Sequence, residues 1–454
     1  MAKKKQIELT IEEKLQNALV PKEEQPYKIP SNWCWLYSNF VVDVRDGTHD
    51  TPKYISEGYP LITSKNLKNN NIDFDKVNYI SKEDYEKINL RSKVDIGDVL
   101  FSMIGTIGNP VLIKGQTNYA IKNVALFKDI NLINMTFFRF YLETKFVIDK
   151  MKKEAKGSTQ KFVSLKYLRN FPICYPSLEE QQRIVNRIES LFAKLDRAKE
   201  LIENTLAQFE QNKMAILHKA FTGELTAKWR KENNIDLSSW QEKTVDELCT
   251  SLKYGTSKKS NPEGSVVVLR MGNLQNGEID WSNLMYTDDK DDIEKYLLKK
   301  GDVLFNRTNS PELVGKTSIY RGEYPAIYAG YLIKLDYGKD IIGEYLNYMM
   351  NSTKAKHYCY TVKTDGVSQS NINAKKIGAF EIPVPTIEEQ QEIVNILDRL
   401  LAKYNKIKNL EQQLEKIELL KKAILAKAFR GELGTNNPDE ESAENLLKEI
   451  LAEK

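Results

Sequence analysis

Phe171 to Val185 reads FPICYPSLEEQQRIV, and Phe380 to Val394 reads FEIPVPTIEEQQEIV, the same string 209 residues further on. The segment downstream of each copy recurs too: Lys213 to Leu225 is KMAILHKAFTGEL and Lys421 to Leu433 is KKAILAKAFRGEL, 208 residues apart. A period this long is no solenoid, whose units run roughly 20–50 residues. It marks a duplicated domain-plus-helix module, and two similar modules suit a target with two similar halves.

The repeated strings read as helices with defined ends. Ser177 with Glu180, and Thr386 with Glu389, have the S/T-x-x-E spacing of a capping box, each behind a proline, Pro176 or Pro385. Downstream, Ile184, Ile188, Leu191, Leu195, Ala198 and Ile202 recur four and three apart. Ile393, Leu397, Leu400, Tyr404 and Ile407 do the same, which is the seam of a coiled coil. Gly223 and Gly431 stand where a helix C-terminal glycine belongs. Each helix should run about 44 residues, or roughly 65 Å. The two are expected to pack on each other, antiparallel, as a structural spine, with a break in the second seam after Ile407 where Leu410 and Leu414 take over.

The spacing divides the chain into an N-terminal helical segment (1–29), a first globular domain (30–176), a central spine (177–236), a second globular domain (237–385), a second spine helix (386–435) and a helical tail (436–454). Both globular stretches look strand-rich, with a few helices, giving an α+β class. They share short landmarks only. Gly47-Thr48 matches Gly255-Thr256, ITSKNL (Ile62 to Leu67) matches LRMGNL (Leu269 to Leu274), and GDVLF recurs intact at Gly97 and Gly301. Gly157-Ser158-Thr159-Gln160 answers Gly366-Val367-Ser368-Gln369. GDVLF reads as a turn feeding a buried strand. The helical copies have stayed alike while the globular copies have diverged, the pattern expected of a shared partner for the spine and separate targets for the domains.

At 454 residues, 41% hydrophobic and 29% charged, the composition is that of an ordinary globular protein. No apolar run approaches the roughly 18 residues of a membrane span, and the opening MAKKKQIELT lacks a signal peptide's apolar stretch. Four scattered cysteines and three histidines argue against a disulfide framework or a metal centre and fit a reducing cytoplasm. The net charge of +4 does not announce a nucleic-acid binder. Residues 144–167, however, hold seven lysines against two acids, and the equivalent window 353–376 holds five against one. Two such windows at matching places suit a phosphate-facing surface as well as a solvated one.

Catalytic motifs fail on inspection. SPELVGKT (Ser310 to Thr317) has serine where a P-loop needs its first glycine, and Gly105-Thr106-Ile107-Gly108 lacks the third glycine of a dinucleotide fingerprint. No DPPY or NPPF string offers a pocket for a flipped base. Pro438-Asp439 with Glu444 lacks the lysine of a nuclease motif. The chain reads as a binder.

AILAKAFRGEL (Ala423 to Leu433) and AILHKAFTGELTAKWR (Ala215 to Arg230), with the PxxEEQQxIV strings at Pro176 and Pro385, resemble the specificity subunits of type I restriction–modification systems over nearly the whole chain. The resemblance implies two target recognition domains, each reading half of a split site in double-stranded DNA, joined by the two long antiparallel helices in a pseudo-twofold arrangement. It implies docking of two methyltransferase subunits, joined by restriction subunits. S-adenosylmethionine, ATP and Mg are expected on those partners and none on this chain, which would carry no catalytic residue. Phe221, Gly223, Phe429 and Gly431 are the expected partner contacts. WRKENN (Trp229 to Asn234) has no counterpart after Leu433, a departure from the symmetric pattern. The N-terminal stretch Ile7 to Val20 and the tail Glu441 to Glu453 both show helical spacing and are placed near the same end of the spine.

Base readout needs side chains that pair with base edges, typically Arg or Lys on guanine and Asn or Gln on adenine. Candidates on loops of the first domain are Arg45, Thr48, Lys65, Asn66, Ser158, Gln160 and Lys161. In the second they are Thr256, Arg270, Asn273, Arg307, Asn309, Lys316, Lys363, Gln369 and Ser370. Two rival readings remain: a coiled-coil protein scaffold without sequence-specific DNA binding, and an enzyme with an unrecognised site.

Overall fold

A computed structural model describes residues 10–157, 160–402 and 408–453. Ser158, Tyr404 and Ile407 lie outside the described residues. The chain divides into two compact units. One holds residues up to Leu201 together with those from Gln412 onward, and the other holds Ile202–Glu411. The helix Leu178–Phe221, 44 residues long, contributes to both. The second copy gives helices Ile387–Ala402 and Lys408–Ala428.

In the first unit, an antiparallel sheet runs in the order Val42–Asp46, Val124–Asp129, Val99–Ser102, Gly108–Leu112. Phe127 faces Val44 on one side and Val99 on the other. Its GDVLF strand is buried on both faces, so it reads as a continuous apolar run. Val99 and Phe101 point into a core with helix Met135–Glu143, while Leu100 points into a second core with Ile62, Leu67 and Ile121. Each such fully buried side chain contributes about 1.5–3 kcal/mol. Gly97, at φ 96°, turns the chain into the strand. A smaller sheet, Asn78–Ile80, Tyr59–Ile62 and Ala120–Ile121, covers the second core. The terminal helices Ile11–Ala18 and Ala443–Glu453 bring Leu15, Ala18, Ala443 and Leu447 into the first.

The second unit repeats this plan. Its sheet runs Cys249–Tyr254, Leu332–Tyr337, Val303–Asn306, Thr317–Ile319. Val303 and Phe305 enter one core and Leu304 another, with Gly301 at φ 95°. The smaller sheet is Tyr286–Thr287, Val266–Leu269, Ala326–Tyr328. The domains that share only landmarks in sequence thus share their strand order and core arrangement.

The repeated EEQQ string is a clasp. Ser177 and Thr386 cap their helices, accepting from the Glu180 and Glu389 N–H groups at 3.2 and 3.3 Å. The carboxylates do not complete a capping box but turn to the segment after a KAF-x-GEL string. Glu389, fully buried, accepts from Thr226 Oγ1 and Arg230 Nη1, both at 2.6 Å, and from Trp240 Nε1 at 2.9 Å. Glu180 accepts from Thr435 Oγ1 at 2.7 Å and Arg183 Nε at 2.9 Å, and Arg183 also reaches Glu440 at 2.6 Å. Thr226 and Thr435 are therefore equivalents, and the guanidinium that WRKENN supplies in one unit comes from Arg183 in the other. The next residue is fixed as well. Gln181 donates to Pro176 O at 2.9 Å and Gln390 to Pro385 O at 3.0 Å. In the first unit Lys199–Glu418 (3.3 Å) and Asp196–Lys421 (2.5 Å) form an antiparallel ladder between helical stretches.

Replacing Glu389 with Ala leaves Arg230, whose side chain is 8% exposed, as an unpaired buried charge. The expected cost is about 3–5 kcal/mol in denaturant unfolding. Glu180→Ala should cost less, about 1–3 kcal/mol, because Arg183 is 36% exposed and keeps Glu440. Equal losses would show that the surviving ion pair does not matter.

Candidate nucleic-acid interface

Close backbone approach builds both loop platforms. A Cβ on Gly47 would lie 2.2 Å from Ile121 O, and one on Gly255 2.1 Å from Tyr328 O, so only glycine fits. Thr48 and Thr256 then form parallel bridges to Lys122 and Ala329. The Asn123 N–H donates to Thr48 O at 3.1 Å, and the Gly330 N–H to Thr256 O at 2.7 Å.

Several candidate readers turn out to hold these platforms together. Asn66 and Asn273 are buried in identical turns. Their Oδ1 atoms accept from the Thr63 and Arg270 N–H groups at 3.0 and 2.9 Å, and their Nδ2 atoms donate to Asp73 O and Asp280 O, both at 3.0 Å. Side chains spent on backbone groups are not presented to a base. Thr256 is buried against Asp292, and Ser370 is buried against Asp365. Lys363 is paired with Asp365 at 2.5 Å and lies over the Tyr360 ring. Arg45 is tied to Asp43 at 2.6 Å and donates to Arg91 O at 3.0 Å. The expected partner contacts are core residues too. Phe221 packs on Tyr345, and Phe429 lies between Phe137 and Tyr141. Gly223 (φ 81°) and Gly431 (φ 74°) make the left-handed turns after their helices, and a Cβ would strike Leu237 or Pro30.

Other candidates reach the surface. Lys65 is exposed, close in chain to Ser64, whose hydroxyl donates to Asn123 O at 3.3 Å. Beside them His49 sits between Asn123 Oδ1 and Asp46 Oδ2, each at 2.9 Å. His49, next to Thr48 in the chain, and Asn123 carried no motif, and it is the pairing of Thr48 with Lys122 that brings Asn123 to them. Gln160 and Lys161 are exposed at the end of a hairpin that pairs Lys156 and Ile104 with Phe162. Gln369 is exposed in the matching turn, whose Gly366 N–H donates to Gln369 O at 2.8 Å. Arg307 and Asn309 border this second hairpin, where Asn309 pairs with Ser370. Arg270 lies apart from it in the chain, donating to Asn283 O at 2.6 Å.

Lys316 belongs to another group. It donates to Gln275 Oε1 at 2.9 Å, and burial pulls its amine below the usual lysine value. Helix Thr353–Val362 packs by Thr353 on Met214 (3.6 Å) and by Cys359 on Gly315. Lys356 lies between those contacts on the helix surface. Burial and then the charge of Lys213 lower its pKa, with Lys316 adding to the effect and Glu210 opposing it. Among the described residues none of these three lysines has an ion pair. Three like charges without an ion-pair partner, with Glu210 the acid that acts on Lys356, favour an anion. No group of His, Cys, Asp and Glu among the described residues could hold a metal ion.

The model of the family described as "Type I restriction modification DNA specificity domain" matches twice, over residues 47–208 and 238–419. The chain belongs to that family and carries two DNA specificity domains. It is 25% identical over 453 residues to the EcoKI specificity subunit of Escherichia coli K12, covering 94% of this chain and 96% of that one. It is 31% identical over 214 residues to the Escherichia coli EcoBI specificity subunit, covering 45% and 44%. A solved chain from work on complex assembly and conformational transition of the type I R-M system superposes with a TM-score of 0.66 at 20% identity, over 90% of this chain and all of the other. That likeness supports the fold.

If phosphates meet Lys213, Lys316 and Lys356, changing all three to Gln should make the slope of log K against log salt for duplex DNA shallower by about two to three. Fluorescence anisotropy across a salt series measures it. An unchanged slope would show that these lysines face no phosphate.

Proposed function

We propose that this chain is the non-catalytic DNA-recognition subunit of a type I restriction–modification complex, binding a bipartite, asymmetric duplex site with one half-site read by each unit. The observation that carries this reading is one backbone plan built twice, with different polar side chains at equivalent loop positions. A protein scaffold alone would not need two divergent loop platforms. In this reading the long helical stretches pair antiparallel as a coiled-coil spine, on which two methyltransferase subunits and then restriction subunits assemble. S-adenosylmethionine, ATP and Mg belong to those partners, and the setting is the cytoplasm. Among the described residues no helix is long and apolar enough to cross a membrane.

Exchange of residues 30–176 for the matching domain of a relative, in complex with methyltransferase subunits, should change one half of the target and leave the other intact. Genome-wide mapping of methylated adenines reads both halves. A simultaneous change in both would show that the domains do not read independently.

The helices should also set the gap between half-sites. Four residues inserted near Leu206 add about 6 Å of helix, so the gap should grow by one or two base pairs at about 3.4 Å each. An unchanged gap in a fully active variant would remove the helices from that role.

A further inference from the structure

Two hairpin platforms with the same backbone hydrogen bonds carry opposite chemistry. In the second unit the Ile372 N–H donates to Arg307 O at 2.8 Å, and Thr308 pairs with Asn371. In the first, the Val163 N–H donates to Met103 O at 2.9 Å, and Ile104 pairs with Phe162. Arg307 and Asn371 thus stand where Met103 and Phe162 stand. The first unit shows an apolar pair here, and the second a guanidinium beside an amide.

The guanidinium is held still. Its Nη2 donates to Asn371 Oδ1 at 3.0 Å, and Nη1 makes a long contact to Gly330 O at 3.4 Å. Its carbon lies 4.8 Å from the centroid of the Tyr254 ring. Asn371 is itself fixed, donating to Thr308 Oγ1 at 2.7 Å, and Tyr254 OH accepts from the Ala374 N–H at 2.9 Å. Among the described residues Arg307 has no carboxylate partner. Arg230 and Arg321 in the same unit are both ion-paired. Tyr254 and Tyr331 beside it are 41% and 49% exposed, so the group borders solvent. Arginine has five N–H donors, and the contacts to Asn371 and Gly330 leave one on each terminal nitrogen.

Resting on the reading that the second unit recognises a half-site, we infer that Arg307 is its guanine-reading residue and Asn371 the residue that positions it. A planar fork with one free N–H on each terminal nitrogen matches the O6 and N7 acceptors on guanine's major-groove edge. Charge retained without a carboxylate leaves the fork free for that edge. A phosphate could accept the same two hydrogens, but it needs no stacked, oriented plane.

The test uses the complete complex with methyltransferase subunits and its mapped target. Each guanine of the half-site that survives exchange of residues 30–176 is replaced in turn by 7-deazaguanine, which pairs normally but lacks N7. One replacement should weaken binding by the wild-type complex about tenfold. Arg307→Met, which takes the residue of the first unit, should bind the unmodified target about as weakly and lose nothing further at that guanine. Asn371→Ala should reduce the sensitivity while leaving the other positions of the half-site unchanged. A half-site without guanine, no sensitive position in the wild type, or the same further loss in Arg307→Met would overturn the assignment. So would a uniform affinity loss with a shallower salt slope, which is the mark of a phosphate contact. Absence of any split methylation target would instead overturn the reading on which the assignment rests.

Discussion

Glu389 is a carboxylate with no exposed surface that takes a hydroxyl, a guanidinium and an indole N–H at once. Isolated at that depth the charge would cost several kcal/mol of desolvation, about the same as its partners restore. Net stability is therefore not its main effect. It specifies which chain segments meet. It joins residues 163 apart in sequence through Thr226, as Glu180 joins residues 255 apart through Thr435. The first turn of a repeated helix is thereby fixed to the end of a KAF-x-GEL string, and in the second unit all the strands, from Gln241–Thr244 to Glu381–Val384, lie between the two anchored segments. The glutamine after each glutamate fastens the same turn to the proline before it.

That role explains why EEQQ reads identically in both copies while the clasp around it does not. The carboxylate needs a hydroxyl and a guanidinium, but their source is open. Arg230, seven residues beyond Gly223, serves one unit, whereas Arg183, three residues beyond Glu180 on the same helix, serves the other. A symmetric motif is satisfied by asymmetric chain, which is why the apparent gap after Leu433 has no structural counterpart.

The helices, the two-part duplication, the glycine ends and the buried GDVLF strands were legible because each rests on local periodicity or on a backbone demand that one residue type meets. The common strand order was not, since alternating burial on a two-faced sheet tolerates many apolar sequences. Polar loop residues were the least legible. Asn66 looks like a reader in sequence and is a buried brace, because a single amide can satisfy two backbone groups or one base edge, and only tertiary position decides which. Phe429 looked available for a partner and fills a gap between two aromatic rings of its own core. His49 carried no signal, being brought to Asn123 by strands far apart in sequence.

The two copies in one chain separate these roles by physical cause. Where a side chain completes backbone hydrogen bonds, as Asn66 and Asn273 do at matching distances, both units keep the same residue. Its loss would leave buried donors and acceptors unpaired. Where the backbone alone completes the pairing, as at Met103 and Arg307, the side chain is not needed for it and differs: Met103 is buried in its own core, while Arg307 contacts Asn371 and Gly330. A recognition surface that must change its target without losing its fold needs such positions. They occur where one hairpin edge hydrogen-bonds to the strand after GDVLF. In the second unit the clasp fixes both ends of the segment that carries this platform, so a substitution on the hairpin leaves the anchors untouched.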